Sequence, residues 1–138
     1  LGIGQLTRLK EIVKRKKEIG FIYNKYLKDC KFLNLPLKET SYAENIYWVY
    51  AITIESSNYN SKELREELRK NNIGTRPFFY PLHKQPVLKK YPQVFRPHEV
   101  LPNAEKIWLK GLYLPSGISL KNEQIEYVSN TLKNILNS

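Results

Sequence analysis

Eight consecutive residues, Tyr47-Trp48-Val49-Tyr50-Ala51-Ile52-Thr53-Ile54, are almost wholly aromatic or β-branched, the side chains that suit a pleated strand. A strand apolar on both faces has to be covered on both, so this run predicts an inner strand with other layers over it. The flanking sequence supplies those layers. Over residues 4–29, Leu6, Leu9, Ile12, Val13, Ile19, Ile22, Tyr23, Tyr26 and Leu27 recur at steps of three and four, and most basic residues fall on the other side. That spacing predicts one long amphipathic helix. The helix is long for so small a domain, and its first turns are expected to pack on something beyond this chain.

Residues 31–46, with Pro36, read as a loop with room for a short extended piece. Asn60, followed three residues later by Glu63, predicts a capped, charged helix over 61–71 in which only Leu64 and Leu68 turn inward. An extended stretch over 73–80 leads into a loop punctuated by Pro81, Pro86, Pro92 and Pro97, longer than a mere connector needs. Asn103 is placed to cap a short helix that stops at Gly111. Leu112-Tyr113-Leu114 reads as a strand, and 121–136 as a last helix burying Ile125, Val128, Leu132 and Ile135. The order helix, strand, helix, strand, helix, strand, helix predicts an α/β fold with helices over a small sheet.

A single domain of 138 residues, 41% hydrophobic, buries roughly two-thirds of its unfolded surface and needs no covalent staple. Cys30 is the only cysteine, which excludes an internal disulfide and points to a reducing, cytoplasmic setting. With His83 and His98 far apart in sequence, no structural zinc or other metal site is expected. No apolar run approaches the ~20 residues a spanning helix needs, and no signal peptide opens the chain. There is no methionine, and Leu1-Gly2-Ile3-Gly4 stands at the edge of the apolar periodicity, so the chain is expected to be a piece of a longer polypeptide.

The net charge of +10 raises the alternative of a self-contained module binding nucleic acid or an acidic polymer. Against it, 17 lysines and only 6 arginines are spread along the chain. The densest run, Lys14-Arg15-Lys16-Lys17, suits a solvated helix face. No helix-turn-helix spacing with a basic recognition helix is present.

One stretch has the character of a site: Ile73-Gly74-Thr75-Arg76-Pro77-Phe78-Phe79-Tyr80-Pro81-Leu82-His83. Extended, it places Arg76, Phe78 and Tyr80 on one face and Ile73, Thr75 and Phe79 on the other. Pro77 has no N–H for a ladder bond, so this strand belongs at an edge or a bulge. A guanidinium between two rings, running into an imidazole, suits an anionic ligand that carries a flat base or a sugar. Phe79 is expected in the core, and His83, lone between Leu82 and Lys84, by itself favours a structural or solvent role over a binding one.

These residues carry a resemblance. Gly4-Gln5-Leu6 with the basic helix, the aromatic strand, Asn72 to Pro77, Tyr80-Pro81-Leu82-His83-Lys84-Gln85-Pro86, Leu101-Pro102-Asn103-Ala104-Glu105, Leu114-Pro115 and Ile125-Glu126-Tyr127-Val128 succeed one another in order. Together they are similar to the C-terminal domain of the DegT/DnrJ/EryC1/StrS family of pyridoxal-phosphate-dependent sugar aminotransferases. The form around Arg76 most resembles the branch acting on a GDP-linked 4-keto-6-deoxymannose. Lys121 stands where the family usually caps its last helix with threonine or serine.

The resemblance implies the small C-terminal domain of a fold-type-I transferase, with a short, mostly antiparallel sheet covered by helices. It implies a single domain over 1–138, with 1–30 as a bridging helix and 47–138 as the α/β layer. It implies a cytoplasmic homodimer that aminates a nucleotide-linked keto sugar from glutamate, for surface polysaccharide biosynthesis. Pyridoxal phosphate and the catalytic lysine would then lie in an N-terminal domain outside this chain, leaving no catalytic or cofactor-binding residue here. Arg76 would meet the sugar-nucleotide anion or the donor carboxylate, Phe78 and Tyr80 would form apolar walls, and His83 would position the loop.

Overall fold

The computed structural model describes residues 2–55, 59–91, 93 and 100–137. Pro92, Pro97 and His98 lie outside the described residues. The elements run α1 (Gly2–Leu6), α2 (Leu9–Leu27), β1 (Leu33–Asn34), β2 (Tyr50–Ile54), α3 (Ser61–Lys70), β3 (Arg76–Pro77), 3-10 turns at Leu82–Lys84 and Pro86–Lys90, α4 (Pro102–Lys110), β4 (Gly111–Leu114) and α5 (Asn122–Asn137). The four strands form one antiparallel sheet in the order β1-β2-β4-β3.

The aromatic run does supply an inner strand. Tyr50, Ile52 and Ile54 are buried with Ile19, Tyr23 and Leu27 of α2, Leu64 and Leu68 of α3, and Ile125, Val128, Leu132 and Leu136 of α5. Each buried aliphatic side chain contributes about 1.5–3 kcal/mol of transfer free energy. The opposite face, Ala51 and Thr53, is half-buried, with α4 packed against β2. Cover is therefore complete on one side and partial on the other.

The strand is shorter than its composition predicts because the chain turns sharply before it. Asn45 Oδ1 accepts the Tyr47 N–H at 2.7 Å, an Asx turn, and Tyr47 takes a left-handed φ of 51°. Trp48 is thrown out to solvent, while the Tyr47 ring folds inward against Gly20, whose missing Cβ makes the room. The Tyr23 and Tyr50 rings stack at 4.5 Å, and Asn24 donates to the Tyr47 hydroxyl while accepting from that of Tyr50. Burial pushes the Tyr23 and Tyr50 pKa values well up, so both act as neutral hydroxyls.

Other boundaries also differ. The long helix breaks at Thr7 and Arg8, where the Thr7 hydroxyl donates to the Gly4 carbonyl at 2.9 Å and Arg8 leaves helical geometry. The turns before and at the break expose Ile3 (82%), Leu6 (66%) and Leu9 (49%), the apolar face expected to lack a partner within the chain. Helix α4 begins at Pro102 with Leu101 as its cap, and Asn103 does not cap it, because proline is pre-shaped for the first helical position. Gly111 ends α4 in extended geometry rather than a left-handed turn, and its missing Cβ leaves room for the Phe78 ring. In α5, Leu136 is buried and Ile135 only partly so.

Candidate functional site

Strand β3 is an edge strand, with Arg76 opposite Tyr113 and Pro77 opposite Leu112 of β4. Pro77 sits where the missing N–H costs no ladder bond. Beside this edge lies an open groove of about 440 Å³, walled by Trp48, Thr75, Arg76, Phe79, Tyr113 and Ser116 among others. Helix α2 braces two of its walls at once. Lys16 Nζ donates to the Trp48 carbonyl at 2.8 Å and to the Ser116 carbonyl at 2.6 Å, and the Tyr23 hydroxyl donates to the Pro115 carbonyl at 2.8 Å. Desolvation holds the Lys16 amine below its ordinary pKa.

The four anticipated residues separate. Arg76 is exposed and lines the groove. Phe78 is half-buried against Tyr113, ring centres 4.7 Å apart, and against Gly111. Tyr80 meets the Trp108 ring edge-on at 4.9 Å. His83 Nε2 lies 3.1 Å from a Glu105 carboxylate oxygen, with its side chain 6% exposed. Phe79, expected in the core, is instead 73% exposed and forms part of the groove, because the strand ends at Pro77 and its alternation of faces ends with it.

Several participants carry no local signal. Trp48 reads as part of the strand, Tyr113 and Ser116 as a strand and its turn, and Lys16 as one lysine of a basic run. Glu105 accepts from His83 and also from Lys84 Nζ at 2.6 Å, and it lies more than twenty residues from both in sequence. Lys84 first and His83 second hold the Glu105 carboxyl below the usual carboxylate range. Among the described residues, no group of three or more His, Cys, Asp or Glu side chains could hold a metal ion.

Chemically, the groove offers a fixed fork of donors at one lip and aromatic surface along its walls. Its lining contains no lysine and no carboxylate. It can bind and orient an anion with planar or apolar parts, and it holds no acid–base pair of its own.

The model of the DegT/DnrJ/EryC1/StrS aminotransferase family matches residues 1–133. The chain is 33% identical over 132 residues to the GDP-perosamine synthase of Escherichia coli O157:H7, an alignment that covers 96% of this chain and 34% of that protein. It is also similar to the solved structure of a GDP-4-keto-6-deoxymannose-3-dehydratase with a trapped PLP-glutamate geminal diamine. There the TM-score is 0.79 at 25% identity, over 95% of this chain and 33% of that one. The aminotransferase TlmJ from Streptoalloteichus hindustanus shares the fold, with a TM-score of 0.81 at 24% identity over 99% of this chain and 35% of that one. The chain spans about a third of the length of the curated relatives it matches.

Proposed function

The chain belongs to the DegT/DnrJ/EryC1/StrS aminotransferase family, and from that premise we propose that it is the small C-terminal domain of a cytoplasmic, homodimeric sugar-nucleotide aminotransferase. The substrate class is a nucleotide-linked keto sugar of the GDP-4-keto-6-deoxymannose kind, the amino donor is glutamate, and the product feeds surface polysaccharide biosynthesis. The observation that carries this reading is the match to a GDP-perosamine synthase along 96% of the chain. Residues 1–30 serve as the bridge to the rest of the polypeptide, and 47–138 as the layer that closes over the substrate.

The groove does not fit pyridoxal phosphate as its holder. None of its lining residues is a lysine for covalent attachment or a carboxylate to pair with the pyridinium nitrogen. On this proposal the cofactor and its lysine belong to the larger portion of the polypeptide, and this chain contributes no catalytic lysine. The cofactor supplies the electron sink, and the protein supplies orientation and charge.

Within that division, Arg76 presents its guanidinium from the exposed edge toward the sugar-nucleotide anion or the donor carboxylate. Phe78 does not line the groove itself but backs its aromatic wall through Tyr113, and Tyr80, expected as a wall, packs on Trp108 of α4 outside the groove lining. His83 ties down the turns that come after it in the chain. In the full-length enzyme, Arg76→Ala is expected to remove about 1.5–3 kcal/mol of charge-assisted bonding, seen as a drop of about tenfold or more in kcat/KM. Steady-state kinetics unchanged within about twofold would remove Arg76 from the site.

A further inference from the structure

Beyond Pro77 the chain leaves the sheet and runs back along α4. Phe78 packs at Gly111, Tyr80 against Trp108, and His83 and Lys84 bond to Glu105. Positions 105, 108 and 111 are three residues apart, so they trace one face of the helix and its end, and the segment descends that face contact by contact. The last contact is of a different kind from the first two. It is a forked carboxylate that gives one oxygen to each of two consecutive side chains.

Among the described residues, the turns beyond that fork show no side-chain hydrogen bond or ion pair to the rest of the fold, with Gln85 and Leu88 half-buried. The turns at 82–90 are closed by short-range backbone bonds, Lys84 N–H to Pro81, Gln85 to Leu82, Leu88 to Gln85 and Tyr91 to Leu88. Leu82 and Val87 are 65% and 56% exposed, and no strand of the sheet includes any of these residues. The His83 arm of the fork is sheltered, with the His83 side chain 6% and the Glu105 side chain 22% exposed, so solvent screens it less than an ordinary surface pair, whereas the Lys84 arm is more open at 38%.

We propose that Glu105 is a positioning residue: by clamping His83 and Lys84 to α4 it fixes the segment that leaves the groove and so sets how the Arg76 edge meets the substrate. The link to substrate rests on the proposed aminotransferase function, whereas the clamp itself does not. Because Glu105 acts through its two partners, its loss should weaken substrate placement rather than abolish chemistry.

The test uses Glu105→Gln in the full-length enzyme, which keeps the shape and removes the charge, with two readouts. Hydrogen exchange of peptides covering 82–91 is expected to quicken about tenfold while β2 stays as in wild type. KM for the nucleotide sugar is expected to rise about tenfold with kcat kept within about twofold. Unchanged exchange over 82–91, or exchange quickened equally throughout the protein, overturns the clamp. Local release with KM unmoved overturns the positioning role. A wild-type enzyme that aminates no nucleotide sugar sinks the proposed function instead, and the exchange pattern still decides the clamp on its own.

Discussion

Gly20 sits in the middle of α2, where glycine costs about 0.5–1 kcal/mol relative to alanine. It is tolerated there because the Tyr47 ring lies where its Cβ would be, and that ring is held by the left-handed turn at 47 and by Asn24. Gly20→Ala improves helix propensity yet pushes a buried ring aside, a clash of about 1–3 kcal/mol that outweighs the gain. The expected result is a lowered thermal midpoint, and a raised one would mean that Tyr47 is not seated as described. At this scale, legibility tracks sequence distance. The pairing of Asn60 with Glu63 can be read because both partners fall within one turn. The pairing of His83 with Glu105 and the carbonyls held by Lys16 cannot, because each depends on residues that only the fold brings near.

Among the elements, periodic helices are easy to read and short strands are not. Helix α3 has both arms of its capping box, Asn60 Oδ1 accepting from the Glu63 N–H at 3.0 Å and Glu63 Oε2 accepting from the Asn60 N–H at 2.9 Å. Asn60→Ala removes one arm and is expected to cost about 1 kcal/mol, measured as a lower denaturation midpoint at unchanged m-value. A loss below about 0.3 kcal/mol would show that the Asn60 side chain does not hold the helix start, which the Ser61 hydroxyl also anchors by donating to the Gly111 carbonyl at 2.6 Å. Strand β1 has two residues and no pattern to detect. Strand β3 is legible as an edge from Pro77, but its residue pattern predicts a run as far as Tyr80. It stops because side-chain anchors on α4 take over from backbone pairing with β4, and nothing local announces that exchange.

For the whole molecule, the charge of +10 is carried largely on exposed side chains, but its densest run is more engaged than composition suggests. Within the densest basic run, Arg15 pairs with Glu18 and reaches Asn122, Lys16 serves two backbone carbonyls, and Lys17 pairs with Glu44. Three of the four residues of the run thus tie α2 to its neighbours, and Lys14 stays exposed. These engagements also bear on the cofactor. A lysine that holds pyridoxal phosphate needs an amine of lowered pKa that is free to attack. Lys16 meets the first condition through desolvation, but both of its acceptors would have to be given up. The 138-residue chain mixed with pyridoxal phosphate is therefore expected to show only weak, non-saturating absorbance from exposed lysines, which gel filtration removes. A one-to-one visible band that survives filtration and disappears in Lys16→Arg would place the covalent site in this chain and overturn the proposal that the cofactor is held elsewhere.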